Sequence, residues 1–326
     1  MIISNETIYV GGVGGIASYH RENMTEKSFD TNISNVWLLL YDEERDEIIQ
    51  CNQNYDNVSH CSKLSASLQK TGNVTTNMSV DIRYLPTYSI VYVKEVNTSI
   101  VVIGANSAKV LSTSYGILSF NLTDFTLFNT EPNRRGPMNI ERADEEKLRL
   151  DFKASFYRAP YVYFFFQVHA FNKFETSRIG KLCLKYDTSN NSSHGYYHSY
   201  EDMNMTCRYK GINLTKIEYV IDEGKFAIFL FLYNDSSVIC VHSWANIEKD
   251  YNESRKLQVL CGYSVKKDGE YFKPDIELGT STHCFENKTY CNKGDDVSRR
   301  IIQTLFMTKK DNNKYVQSYN NWFPFD

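Results

Sequence analysis

The sequence predicts an all-β protein of the β-propeller class, and three observations carry that expectation. The chain breaks into many short apolar runs of strand length, separated by clusters of Asn, Ser, Asp and Gly. It holds 24 Tyr and 19 Phe together with many Val and Ile, side chains that suit a pleated, half-buried surface. Several runs also come in pairs: a continuous apolar strand, a turn, then a strand holding a small residue or cysteine, as in KFAIFLFLYNDSSVICVHSW. Such pairs suit the inner strands of propeller blades, each of about four strands and about 40–50 residues.

In chain order the expected strands are ETIYVGGV, NVWLLLYD, YSIVYVKEV, SIVVIGAN, YVYFFFQV, SRIGKLCLKY, KFAIFLFLY and SVICVHSW. One window, ADEEKLRL, has helical character but is too short to alternate with strands in βαβ units, so helix content should be small. The length of 326 residues holds up to seven minimal blades or fewer large ones. With only 6 Pro and no Pro/Gly linker, residues 1–326 read as one partial domain. A hydrophobic share of 42% and a charged share of 23% exclude wholesale disorder. The net charge of -3, from 36 Lys+Arg against 39 Asp+Glu without a long run of one sign, argues against nucleic acid as a partner.

Cysteine and asparagine usage speak to compartment. Eight cysteines, at positions 51, 61, 183, 207, 240, 261, 284 and 291, form no CxxC pair and have no His at zinc-ligand spacing, so disulfides fit better than metal. The acceptor pattern Asn-x-Ser/Thr starts at Asn5, Asn23, Asn32, Asn57, Asn73, Asn77, Asn97, Asn121, Asn190, Asn191, Asn204, Asn213, Asn234, Asn252 and Asn287. Chance placement of the Asn, Ser and Thr present gives roughly four such sites, so the excess points to N-glycosylation in a secretory compartment. The chain opens on MIISNETIYV, without the basic and apolar regions of a secretory leader. The longest apolar runs, Tyr161 to Val168 and Phe226 to Tyr233, are far below the ~18 residues that span a bilayer. The expectation is therefore an extracellular piece of something larger, with no membrane anchor in this stretch.

Motifs of catalysis and cofactor binding are weighed and set aside. GGVGGIA, Gly11 to Ala17, has the outline of a dinucleotide loop, but SYHRENMTEKSF after it lacks the apolar stripe of a phosphate-binding helix, so a tight turn between strands is expected. His194 and His198 stand four apart in a polar loop with two overlapping acceptor patterns and read as solvated. Asp144 and Glu145 lie on a charged segment that reads as a solvated face. No His sits beside a Ser or Cys nucleophile in a recognisable setting, and disulfide formation would leave the cysteines without a free thiolate. The expectations are no enzyme activity, no cofactor, no metal and no small-molecule substrate.

Four stretches carry a resemblance. TSRIGKLCLKYD, following YVYFFFQV and leading to an Asn-rich loop and MTC, resembles the middle of a sema domain, the seven-bladed propeller of semaphorins, plexins and Met-like receptors. IIQCNQNYDNVSHCSKL resembles the disulfide-closed hairpin that ends an early blade, and SIVVIGANSAKVL the family strand with a Gly after an apolar run. KFAIFLFLYNDSSVICVHSWANIEKDY resembles the plexin segment in which an apolar strand leads into a Cys-containing strand and a short helix. These fall in order over roughly residues 5 to 320. NQNYDNVSHC lacks the G-T-x-A-F-x-P-x-C run usual in semaphorins, which favours the plexin side.

The resemblance implies a sema-type propeller incomplete at its C-terminal end and the pairs Cys51 with Cys61, Cys183 with Cys291, Cys207 with Cys240, and Cys261 with Cys284. The long Cys183–Cys291 loop would contribute about 4.7 kcal/mol on a chain-entropy view, against roughly 3 for Cys51–Cys61. It implies the ligand-recognition domain of a plexin-like cell-surface receptor in cell-guidance signalling such as axon guidance. The parent protein would be anchored by a segment not in this chain, and the partner a semaphorin or another sema domain. A secreted semaphorin-like ligand or soluble decoy is the alternative, and a propeller hydrolase a third class. Because glycans would cover faces not used for docking, the stretch from Phe125 to Ile179, poor in acceptor patterns, is the candidate protein-facing surface, with Arg134 and Arg135 as its charged contacts.

Overall fold

The computed structural model describes residues 2–251, apart from 5, 31–34, 44, 54–58, 76–77, 80–85, 94–96, 111–112, 127–137, 141–147, 171–174, 186–195, 206 and 234–235. The first sheet runs β1 (Ile2–Ile3), β2 (Thr7–Gly12), β3 (Gly15–His20), β4 (Glu26–Asp30), and the second β5 (Val36–Asp42), β6 (Glu47–Gln53), β7 (Ser59–Ser65), β8 (Lys70–Thr75). After β9 (Met78–Ser79), the third runs β10 (Thr87–Val93), β11 (Thr98–Val110), β12 (Thr113–Asn121), β13 (Met138–Ile140), with β9 on the far end of β11. The fourth comprises β14 (Leu148–Arg158), β15 (Tyr161–Ala170), β16 (Glu175–Lys185) and β17 (Tyr196–Met205). A short hairpin, β18 (Cys207–Tyr209) and β19 (Ile212–Leu214), precedes a fifth sheet of β20 (Ile217–Glu223), β21 (Phe226–Tyr233) and β22 (Ser236–Ser243). Helix α1, residues 244–251, follows.

Apart from β9, which pairs with β11, strands adjacent in sequence within each sheet pair antiparallel, which makes each a meander. The meanders stack in chain order, and the apolar clusters show it. Ile2, Tyr9 and Ile16 of the first sheet pack on Leu39, Ile48 and Leu64 of the second. Trp37, Leu40 and Ile49 of the second pack on Val101, Ile103, Leu118 and Phe120 of the third. Ile100, Val102 and Ile117 then meet Phe152, Phe164 and Phe166 of the fourth, and Tyr163, Phe165 and Ile179 meet Phe229, Phe231 and Trp244. Successive antiparallel meanders packed face to face are propeller blades, so the fold is all-β and of the β-propeller type.

Strand β15 shows how the sequence dictates this. Side chains alternate along a strand, so an unbroken apolar run means both faces are covered. Val162, Phe164, Phe166 and Val168 face the third sheet, while Tyr163 and Phe165 face the fifth. β15 also has β14 on one edge and β16 on the other. The expectation that the Phe125 to Ile179 stretch is protein-facing is corrected for β15, whose residues Val162 to Val168 are buried in the core, as is Phe125.

The third and fourth sheets approach closely because Gly104 has no side chain. A Cβ there would lie 2.5 Å from Phe152 Cδ1 and 2.9 Å from Phe164 Cδ1. Both rings belong to a packed core that cannot give way, so Gly104→Ala is expected to cost about 1–3 kcal/mol in urea denaturation. Gly72→Ala is the control, since its Cβ would meet only Lys63 Cδ at 4.0 Å and should change stability by less than ~0.5 kcal/mol. Equal effects at the two positions would mean the sheets are not packed through Gly104.

Polar ties support the stacking. The buried Asn106 accepts the Leu150 backbone N–H at 2.8 Å, linking the third sheet to the fourth. Ser177 Oγ donates to Thr215 O and accepts Ile217 N–H at 3.0 Å, linking the fourth to the fifth. The GGVGGIA segment is the β2–β3 hairpin turn, with Gly12 opposite Gly15 and Gly15 at a φ of 136° that side chains disfavour. The helical reading of ADEEKLRL is corrected where it is described: Leu148, Arg149 and Leu150 open β14 and pair with β15.

Candidate recognition surface

The structure joins Cys51 to Cys61 and Cys207 to Cys240. Cys51 and Cys61 stand directly opposite each other on β6 and β7. Cys207, on the β18–β19 hairpin, reaches Cys240 on β22, so this bridge ties a small hairpin to the fifth sheet. Cys183 lies on β16, while Cys261, Cys284 and Cys291 lie outside the described residues, and so do both remaining expected pairs.

Asn23, Asn97 and Asn213 are exposed at turns or strand ends, where a glycan would meet solvent. Asn23 Oδ1 accepts the Thr25 N–H at 3.1 Å, a local turn that presents the side chain outward. Asn121 is half-buried, and its Oδ1 accepts the Thr123 N–H at 2.8 Å and the Thr98 hydroxyl at 3.3 Å. Asn73 and Asn204 lie on β8 and β17. Asn5, Asn32, Asn57, Asn77, Asn190, Asn191, Asn234, Asn252 and Asn287 lie outside the described residues.

Arg134 and Arg135 fall in 131–137, outside the described residues, as do Asp144, Glu145 and His194, while His198 lies on β17. Two charged groups that sequence reasoning missed bridge the fourth and fifth sheets. Arg158 Nη1 donates to both oxygens of Asp222 at 2.9 Å, and its guanidinium carbon lies 4.6 Å over the Trp244 ring, whose Nε1 also donates to Asp222. Lys153 bonds Asp151 at 2.8 Å and Glu218 at 3.4 Å. Burial alone would raise the Asp151 carboxyl, but hydrogen bonds from His169 and Lys153 hold it below the usual carboxylate range. Burial would likewise lower the Lys153 amine, and Asp151 and Glu218 hold it above its ordinary value. Partners this far apart in sequence leave no local signal.

A third cluster has chemical groups yet reads as structural. Lys181 is 1% exposed, lies 3.9 Å over the Tyr161 ring and 5.2 Å over the Tyr251 ring, and pairs with Glu248 of α1. Tyr163 donates to the same carboxylate, and Tyr251 donates to Ile179 O. The buried cation is thus neutralised and caged, and the network fastens α1 to β15 and β16. No group of three or more His, Cys, Asp or Glu among the described residues could hold a metal ion. No helix among them is long and apolar enough to cross a membrane.

His242 lies buried with its ring edge-on to Phe229 at 5.1 Å, and burial pushes its imidazole down to about 3. The folded protein keeps it neutral, whereas the unfolded chain binds a proton near pH 6.5. Its contribution to stability is present above that pH and is lost as pH falls toward the folded value, by about 1.4 kcal/mol per unit. Urea midpoints between about pH 7 and pH 5 should fall more steeply for the natural chain than for His242→Gln, and parallel slopes would exclude a buried neutral imidazole.

No protein-family model matches the chain, and no curated protein matches it. Among solved structures it is similar to an endo-arabinase from Bacteroides thetaiotaomicron, at 10% identity and a TM-score of 0.35, over 73% of this chain and 88% of that one. It is similar also to a thermostable family-43 glycoside hydrolase, at 9% identity and a TM-score of 0.38, over 74% and 87% of the two chains. A third is the β-propeller domain of the Trilobed protease from Pyrococcus furiosus, at 10% identity and a TM-score of 0.28, over 72% and 77%. The expectation of no enzyme activity is not upheld, since the first two are enzymes, while at this identity the likeness itself concerns the fold alone. That expectation rests on missing short motifs, and stacked sheets can gather catalytic groups from distant strands that no short motif announces. Fold and bridges together define a disulfide-bonded protein of propeller-type sheets.

Proposed function

We propose that this chain is the recognition domain of an extracellular, sema-type receptor and that its partner is another polypeptide, a semaphorin or a second sema domain. The observation that carries the extracellular part is the pair of disulfides, Cys51–Cys61 and Cys207–Cys240, on a chain that exposes the acceptor residues Asn23, Asn97 and Asn213. Disulfides persist in oxidising compartments, and N-glycans are added on the secretory route.

The order of elements supports the sema part of the reading. SIVVIGANSAKVL includes most of β11 with its Gly104 contact, and FAIFLFLY leads through Cys240-bearing β22 into α1. A rigid stack of sheets offers loops and sheet edges as a broad surface, and a stable complex needs about 800 Å² from each partner. The parent protein would be a membrane-anchored receptor acting in cell-guidance signalling.

The test is binding of the chain, secreted from eukaryotic cells, to a panel of immobilised semaphorin and plexin ectodomains by surface plasmon resonance. Saturable binding to at least one, with Kd of roughly 1 μM or tighter, is the expected result. A folded, oxidised chain that binds none of them would rule the reading out.

A further inference from the structure

A cleft of about 530 Å³ lies between the first and second sheets, and its chemistry differs from the apolar seams elsewhere in the stack. Its floor is Tyr9, 2% exposed and pinned by donation from its hydroxyl to Ala66 O at 3.1 Å. The half-buried Tyr41 ring stacks on Tyr9 with centroids 6.3 Å apart and planes at 27°. The Tyr41 hydroxyl donates to Asp46 Oδ1 at 2.7 Å, and that bond holds the phenol up at about 12, so it remains a donor. Asp46 occupies the β5–β6 turn at a φ of 50°. Across the cleft, Lys27 Nζ donates to the Thr7 hydroxyl at 2.8 Å, and Glu6 completes that side.

The lining selects its ligand by chemistry. Two carboxylates against one ammonium disfavour an anion, and a wall of hydroxyl and charged groups disfavours a lipid or other apolar molecule. A pyranose ring needs acceptors for its hydroxyls, a donor for its oxygens and a flat apolar surface for its C–H face. Asp46 retains acceptor capacity beyond the single bond from Tyr41, Glu6 adds more, Lys27 supplies a donor, and the Tyr41 ring supplies the surface. The volume falls in the usual range for small-molecule clefts and accommodates a saccharide unit. We propose that this cleft binds a neutral saccharide, with Tyr41 as the stacking platform and Asp46 and Lys27 as the polar anchors.

The saccharide could come from the chain's own glycan at exposed Asn23, on the turn leading to β4, or from outside. The test titrates the full chain, glycosylated and enzymatically deglycosylated, with methyl α-D-mannopyranoside, methyl β-D-galactopyranoside and N-acetyl-D-glucosamine by saturation-transfer NMR. At least one sugar is expected to saturate with Kd on the order of 1 mM. Binding only after deglycosylation would assign the site to the chain's own glycan, and binding in both forms to an external one. Asp46→Asn and Lys27→Gln should each weaken binding about tenfold. Both residues are exposed, so unchanged melting curves confirm that these variants fold. Tyr41→Phe, which keeps the ring, should bind better than Tyr41→Ala. The proposal is overturned if no sugar saturates by about 50 mM, or if the Asp46 and Lys27 variants bind as the natural chain does.

Discussion

Replacing Phe165 with alanine is expected to cost about 3–5 kcal/mol, the range for deleting a fully buried aromatic side chain whose surroundings cannot collapse. Phe165 is 0% exposed. Its ring lies 5.5 Å from Phe229, 5.7 Å from Phe156 and 6.2 Å from Trp244. Those partners sit on β21, on β14 and in α1, so the cavity would open at the seam between the fourth and fifth sheets. Urea denaturation followed by circular dichroism measures the loss. Phe226→Ala is the contrast, because Phe226 is 44% exposed and should change stability by less than ~1 kcal/mol. A Phe165→Ala cost as small as that of Phe226→Ala would mean the two sheets do not pack through this ring.

Removing the Cys207–Cys240 bridge is expected to cost about 4 kcal/mol. The cysteines are 33 residues apart, and the entropy a cross-link removes from the unfolded chain grows with the loop it closes. Cys51 and Cys61 are only 10 apart and already face each other in a hairpin, so their removal should cost no more than roughly 3 kcal/mol. Comparing Cys207→Ala/Cys240→Ala with Cys51→Ala/Cys61→Ala by denaturant midpoint tests the order. If the short bridge matters more, the β18–β19 hairpin is held to the fifth sheet by packing alone. Losing the long bridge should also free that hairpin to proteolysis, because its two strands have three residues each.

Much of the architecture is legible in the chain because strand burial writes itself as local hydrophobicity. The runs VWLLLYD, YVYFFFQV and FAIFLFLY are the strands β5, β15 and β21; β15 is covered on both faces as a continuous apolar run requires, whereas β21 buries Ala227, Phe229 and Phe231 and leaves its other face partly exposed. The β14 strand, LRLDFKASFYR, escapes such a reading because its alternation breaks at a bulge between Phe152 and Ala154 and because Asp151 and Lys153 give it the polarity of a surface helix. Its charges pair with each other, but also with His169 and Glu218, partners on other strands that no short window of sequence contains.

The cleft groups are invisible for the same reason. Lys27, Tyr41 and Ala66 come from three separate turns or strands, and nothing in their local context marks them. Periodicity, turn residues and cysteine count are properties of neighbours along the chain, so strand content, the blade-like succession and the oxidised state can be read before any folding is known. Which side chains share a cavity, which charges neutralise one another and where a glycine must admit a ring depend on how sheets stack. Stacking brings together residues dozens of positions apart, so those pairings come into being only with the packed fold.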